Sequence, residues 1–448
     1  MLKSLQKKKQ LFIVCFLTVF LYIGLFSSNA EADTLYGLAG GSMQVSYKAR
    51  KISDNGGSDS GFIFSSDMLF EYGKQNKLRF YFDTDLIQTN KDTGIRSTDI
   101  HNTYNSGIRP YFYQLFGEYT ARNIIRSIKA GRQYISGIFS AHLDGLSSSI
   151  DLFTPAINVS LYQGSHVELF ETDAGKSEVS GNRLKLSTPF RTVLIFEEQS
   201  LKQEKDPSES GISGVWTQRG LSVIKQFDAG MISITGQYHE GEFKSIEYKA
   251  SVFEKTSFDL SILYYRQFKE VSQMPSFTIP ALFTGELSPV KPYERFVVNL
   301  NKSFSGDTRI LSAGLERRSL ILQEDESDFN HSYNHAYTAL TFTSHQGSSY
   351  TIHGDIWQET GGLDNKILTG GAEYQYSNPQ YIRFRLGTFY SLYKYDYYSD
   401  LDEKNDVYTV FTEIKHLFPG GFYIKERYDL DIYDVYEHRL SMSAGVNF

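Results

Sequence analysis

The chain has 448 residues, with 45 Lys and Arg against 52 Asp and Glu and a formal charge of −7, a balance that disfavours nucleic acid as a partner. Its one cysteine, Cys15, excludes disulfide frameworks, thiolate metal centres and CxxCH haem attachment. Aromatic residues make up 15% of the chain, 32 Tyr and 33 Phe against 2 Trp, more than the core of one soluble domain needs.

The first segment in chain order is MLKSLQKKKQLFIVCFLTVFLYIGLFSSNAEAD. Lys3, Lys7, Lys8 and Lys9 precede an apolar run from Leu11 to Phe26, and Ala30-Glu31-Ala32 follows with small residues at the two positions a signal peptidase reads. Residues 1–32 are therefore expected to be a secretory signal peptide cleaved after Ala32, with Ser28-Asn29-Ala30 as second choice. A lipoprotein would need its cysteine just after the apolar core, and Cys15 lies inside it. The mature chain, 33–448, then has no cysteine and carries 41 basic against 51 acidic residues. No later apolar run is long enough for a helical membrane span.

From Gly37 onward no helical period is evident, and segments of strict apolar/polar alternation recur to the end of the chain. In NKLRFYFDTDLI, Leu78, Phe80, Phe82, Thr84 and Leu86 oppose Arg79, Tyr81, Asp83 and Asp85. In YIRFRLGTFYSL, Ile382, Phe384, Leu386, Thr388, Tyr390 and Leu392 oppose Arg383, Arg385, Gly387, Phe389 and Ser391. In GFYIKERYDLDI, Phe422, Ile424, Tyr428, Leu430 and Ile432 oppose Tyr423, Lys425, Arg427, Asp429 and Asp431. A soluble sandwich would bury its apolar faces and keep the inside free of charge; here the charged face is too regular to be a rind.

The connections alternate as well. Ten are tight, from Lys74-Gln75-Asn76 through Thr154-Pro155-Ala156, Thr188-Pro189-Phe190 and Asn378-Pro379-Gln380 to Pro419-Gly420-Gly421. Between them lie longer polar loops such as KISDNGGSDS and KYDYYSDLDEKNDV, with His239-Glu240-Gly241 as the short exception. Short turns on one side and long loops on the other are the pattern of an outer-membrane barrel, and the count predicts an all-β, up-and-down antiparallel barrel of about 22 strands (20 to 24) with no plug domain. The prolines agree, since they fall in turns and loops, apart from Pro110, which is expected to open a strand.

The final stretch, HRLSMSAGVNF, places Leu440, Met442, Ala444, Val446 and Phe448 on one face and ends on that aromatic. It resembles the last strand of bacterial outer-membrane β-barrels, which implies an outer-membrane location, contact with lipid and lipopolysaccharide, and Phe448 as the signal read by the barrel-assembly machinery. A second stretch, IKAGRQYISGIFSAHLDGLSSSIDLFTP (Ile128 to Pro155), resembles the Gly-Arg-Gln, loop, Asp-Gly passage of porin-like channels. That resemblance implies a lumen-facing Arg132, whereas parity puts Arg132 on the face of Ile128 and Ala130.

The wet faces nominate a hydrated lumen lined by Arg79, Asp83, Asp85, Arg295, Glu373, Arg383, Arg385, Glu413, Lys415, Lys425, Arg427, Asp429, Asp431 and Arg439. Other constellations are weaker. His331 and His335 lack a third metal ligand, the acidic loops Glu324–Asp328 and Ser399–Asp406 lack the spacing of a calcium loop, and His142/Asp144 and His353/Asp355 have no nucleophile motif beside them. No catalytic residue, metal or cofactor is expected. One long loop, Val271 to Pro292, carries Met274, Phe277, Ile279, Leu282, Phe283 and Leu287; such a segment must lie against the barrel interior, its rim or a partner.

Two functions follow. One is a porin-like channel for small polar solutes. The other is a sheath, resembling the porin-like barrels of trans-outer-membrane electron-transfer conduits, which enclose multihaem cytochromes and hold no haem themselves.

Overall fold

A computed structural model describes residues 36–52, 58–73, 76–91, 107–121, 124–152, 154, 156–167, 177–203, 214–254, 257–270, 290–304, 308–322, 330–344, 347–360, 365–394, 404–433 and 435–447. They form β1 (Tyr36–Ile52), β2 (Ser58–Tyr72), β3 (Lys77–Lys91), β4 (Gly107–Thr120), β5 (Ile125–Ile135), β6 (Ala141–Asp151), β7 (Ile157–His166), β8 (Ser177–Ser187), β9 (Thr192–Gln203), β10 (Gly214–Phe227) and β11 (Gly230–His239). There follow β12 (Glu242–Glu254), β13 (Phe258–Gln267), β14 (Tyr293–Phe304), β15 (Arg309–Leu320), β16 (Tyr333–Thr343), β17 (Ser348–Glu359), β18 (Lys366–Asn378), β19 (Ile382–Lys394), β20 (Lys404–Leu417), β21 (Phe422–Ile432) and β22 (Tyr436–Asn447). Each strand pairs antiparallel with its neighbour in sequence, and β1 pairs with β22 from Ser42↔Asn447 to Ile52↔Glu437, so the sheet closes into a 22-stranded barrel. Closure leaves no sheet edge, the condition a sheet must meet in hydrocarbon.

The strand ends that flank the ten expected tight turns all lie at one end of the barrel, while Arg122-Asn123 and Ser305-Gly306-Asp307 themselves lie outside the described residues. Near them exposed rings form a girdle, including Phe190, Phe227, Phe304, Tyr350, Tyr381 and Phe418. On the other side the short link at Glu240-Gly241 is present, with both residues at positive φ (49° and 81°), as a two-residue hairpin of right-handed twist requires. Two further connections on that side are also short, contrary to the expected alternation: Ser136–Ser140 between β5 and β6, and residues 433–435 between β21 and β22. Pro110 lies inside β4 rather than at its start. It is tolerated there because β4 pairs with β5 only from Leu115 to Thr120, which leaves the stretch around Pro110 without a neighbour on that side.

The two faces follow the pleat. Phe80, Leu86, Leu386, Tyr428, Leu440 and Met442 are exposed on the outside, while the intervening positions carry the ion pairs. Residues 1–35 and Phe448 lie outside the described residues.

Candidate functional site: the inner wall and the hairpin folded onto it

The charges nominated for the lumen lie on the face opposite the exposed apolar side chains, and many of them are ion-paired. From β18 to β1 they form a nearly continuous band. Arg385 donates to both carboxylate oxygens of Glu373, at 2.9 and 2.8 Å, and its other guanidinium nitrogen is 3.7 Å from Glu413. Glu413 also meets Lys425 at 2.9 Å and Arg427 at 3.8 Å, and Arg427 holds Asp429 at 2.7 Å. Arg439 meets Asp431 at 2.5 Å, and Arg50 reaches Glu437 at 2.6 Å across the closing seam. Register sets Arg383, Lys415 and Lys425 side by side, and Lys415 lies 3.8 Å from the centre of the Tyr423 ring.

Elsewhere the band is broken. Arg79 bonds Glu71 at 2.8 Å and lies 3.6 Å from Glu118, Arg295 bonds Glu316 at 2.8 Å, and Asp83 stands opposite Asp67 while Asp85 accepts the Tyr113 hydroxyl at 3.2 Å. His331 contacts Glu359 at 3.0 Å and His335 contacts Asp355 at 2.6 Å, so the two imidazoles have separate partners. Among the described residues no three ligand-type side chains converge as a metal site. Met274, Phe277, Ile279, Leu282, Phe283 and Leu287 lie outside the described residues.

Among the described residues, the element that folds onto the inner wall is one the sequence did not nominate. Gly131 on β5, Gly145 on β6 and Gly164 on β7 occupy one cross-strand row, Gly131↔Gly145↔Gly164. Gly131 has φ of +118°, and a Cβ on any of the three would collide with backbone of the adjoining strand. Three glycines in register make a crease, and beyond it the β5–β6 hairpin leaves β4 and folds inward. Its tip, Ser136–Ser140, reaches β10, where Ile138 Cγ2 lies 2.6 Å from the position a Cβ would occupy on Gly220. From β6 to β10 is four strand spacings, about 19 Å along the inner wall.

The tip is anchored by charge and by apolar packing. Glu197 on β9 is 0% exposed; it accepts the Ile138 N–H at 2.9 Å and Arg183 Nε of β8 at 2.9 Å, and Arg183 also donates to the Ser136 carbonyl. Around them Ala141, Leu143, Tyr162, Val179 and Leu201 form a small core inside the barrel, with Ile135 and Trp216 against it. On the opposite side of the hairpin Arg132 pairs with Asp144 through two bonds of 2.8 and 2.7 Å and donates to the Phe112 carbonyl at 3.1 Å. His142 Nε2 lies 2.6 Å from the Tyr113 carbonyl and its ring stacks on Tyr134. These two side chains satisfy backbone carbonyls of β4 that β5 has abandoned. Arg132 thus keeps the parity of Ile128 and Ala130, with no bulge between them. The lumen-facing role implied by the resemblance is replaced by a bracket between hairpin and wall.

No protein-family model matches the sequence, and no curated protein sequence does either. Among solved structures the chain is similar to the translocation pore of the P pilus usher PapC, with a TM-score of 0.51 and 9% identity over 90% of this chain and 99% of that one. The chain shares with that pore the fold of a closed antiparallel β-barrel. Looser likenesses are a BenF-like porin from Pseudomonas fluorescens Pf-5 (TM-score 0.44, 11% identity, 92% and 98% covered) and Pseudomonas aeruginosa OccK5 (0.43, 10%, 91% and 98%). At such identities the likeness is one of architecture, so the contents of the lumen have to be read from this chain's own inner wall.

Proposed function

We propose that this barrel is a non-enzymatic pore through which small polar solutes cross the outer membrane, narrowed by the inward β5–β6 hairpin. The carrying observation is the anchoring of Ser136–Ser140 against the inner wall by Arg183 and Glu197. A wide barrel needs a constriction to be selective, and a tip held by a desolvated ion pair with its own apolar core is fixed enough to set a bore. The paired charges from β18 to β1 would keep the remaining lumen wet while holding its side chains out of the path. Export would use the N-terminal signal peptide, so the mature protein should begin at Asp33 when its N-terminus is sequenced.

The test is conductance in a planar bilayer. Purified protein should give steady, defined channels, and replacing Ser136–Ser140 by a two-residue turn should enlarge them. A wild-type barrel that gives no defined conductance and co-purifies with a haem protein would overturn the pore in favour of the sheath.

A further inference from the structure

The outside of the barrel carries one polar row near the loop end of β15–β17, Arg317, Asn334 and Gln358, but on another wall it is polar over several successive rows. Cross-strand register sets the outward residues of β7, β8, β9 and β10 in three successive rows. The first is Leu161, Asn182, Glu198 and Arg219; the second is Gln163, Ser180, Ser200 and Thr217; the third is Ser165, Glu178, Lys202 and Val215. Only Leu161 and Val215 are apolar. Across the barrel the corresponding rows of β19, β20 and β21 read Leu386, Thr412 and Tyr428, then Thr388, Val410 and Leu430, then Tyr390, Tyr408 and Ile432, without a charge.

Depth makes the first two rows of β7–β10 a problem; the third, with Lys202 ten residues above the start of β9, reaches roughly 25 Å and lies at the edge of the apolar band. Outward positions on β9 begin with Thr192, Leu194 and Phe196, and Glu198 is six residues above the strand start. At about 3.3 Å per residue and a tilt near 40° that is roughly 15 Å above the turn, within an apolar band about 25 Å tall. Arg219 bonds Glu198 at 2.7 Å and Lys202 lies 3.7 Å from Glu178, whereas the side chains of Gln163, Ser180 and Asn182 make no hydrogen bond among the described residues. Hydrocarbon offers them no partner, and each unsatisfied amide facing it costs several kcal/mol.

We propose that the outer face of β7–β10 is a contact surface for a second copy of this chain. This rests on the barrel's being embedded in a membrane and is independent of what passes through it. The cover must itself reside at membrane depth, which excludes a soluble protein, and it must supply donors and acceptors, which excludes lipid tails. The rows alternate in sign as Glu178 with Lys202 and Glu198 with Arg219, so a partner of one charge would meet repulsion at half the sites. A copy of the same face carries both signs, the same amides and hydroxyls, and the same depth. It is also the wall stiffened from inside by the folded hairpin, so the surface presented to a neighbour is pre-organised.

The absence of cysteine from residues 33–448 gives a clean test. Gln163→Cys and Ser180→Cys should each be joined by a short bis-maleimide in native outer membranes, giving a species at a whole multiple of the chain's mass. Leu386→Cys, on the opposite wall, should remain at the mass of one chain. Wild-type protein released gently from the membrane should show two or more chains by native mass spectrometry, and Glu198→Arg should reduce this to one while the barrel keeps its heat-modifiable gel shift. Native spectra of a single chain would overturn the proposal, with or without bound lipopolysaccharide. So would cross-linking of Leu386→Cys equal to that of the two test positions, or cross-linked products at the mass of a different protein.

Discussion

The walls β7–β10 and β18–β22 are built from the same pleat and carry opposite distributions of polarity. On β18–β22 the inner positions hold Glu373, Arg385, Glu413, Lys425, Arg427 and Arg439, and the outer ones are largely apolar. Charges of outward parity there include Glu426, between Ile424 and Tyr428 on β21, and, towards the loop end, Lys366 and Asp406. On β7–β10 the inner positions include Tyr162, Val179, Leu201 and Trp216, and the outer ones carry Asn182, Glu198 and Arg219. Alternation therefore reports which side of a strand is wet only where nothing else packs on it. Once a hairpin lies on the inner face, that face becomes a core and needs apolar side chains, as any interior does.

The largest way to break this comparison is to release the hairpin. Arg183→Ala leaves Glu197 buried without a cation and removes the donor to Ser136, which should cost about 3–5 kcal/mol. Bilayer recordings should show larger and noisier currents, and the midpoint of denaturant unfolding should fall. Arg183→Lys should recover only part, because one ammonium cannot reproduce the fork that spans Glu197 and Ser136. Unchanged current and stability in Arg183→Ala would mean that the hairpin is held by something other than this wall.

A second comparison places one charge on each outer face. Leu386→Arg enters the apolar band of β19 and should destabilise the barrel by about 2–4 kcal/mol near the bilayer midplane, whereas Ser200→Arg enters a row that is already polar and should cost far less. Unfolding in phospholipid vesicles measures both. Equal losses would erase the distinction between the walls.

The smallest effect belongs to the charged band itself. Glu413 is buried but its partners Arg385, Lys425 and Arg427 are each about a third exposed, so water screens the attraction. Glu413→Gln should change stability by less than about 1 kcal/mol. It should nevertheless shift the reversal potential in a salt gradient towards anions, since a negative charge is lost among cations. The shift should shrink as ionic strength rises, and a shift towards cations would show that these groups do not border the conducting path.

Much of the fold was legible because the pleat is a local property. Leu78 to Leu86 and Ile382 to Leu392 announce their faces within one segment, and the tight turns at Thr188-Pro189-Phe190 and Pro419-Gly420-Gly421 locate one end of the barrel without reference to any other strand. The inward hairpin was less legible. Ser136-Gly137-Ile138-Phe139-Ser140 is only five residues long, and its two apolar residues are outnumbered by those of the longer loop at Val271 to Pro292. One signal was present: Leu143, Tyr162, Val179, Leu201 and Trp216 are apolar residues at positions where the alternation calls for polar ones.

By itself the sequence indicated an up-and-down barrel of about 22 strands, its turn end and its loop end, and the charged faces of its strands, because all three follow from a two-residue repeat and from the residues that end it. The tertiary structure alone decided where a hairpin folds onto the inner wall and where polar rows fall on the outer one. Gly131, Gly145 and Gly164 lie 14 and 19 residues apart and become a crease only when three strands pair in one register. Arg183 and Glu197 become an anchor only when the hairpin beyond that crease reaches them. Such alignments depend on pairing between strands, which no single segment of the chain encodes.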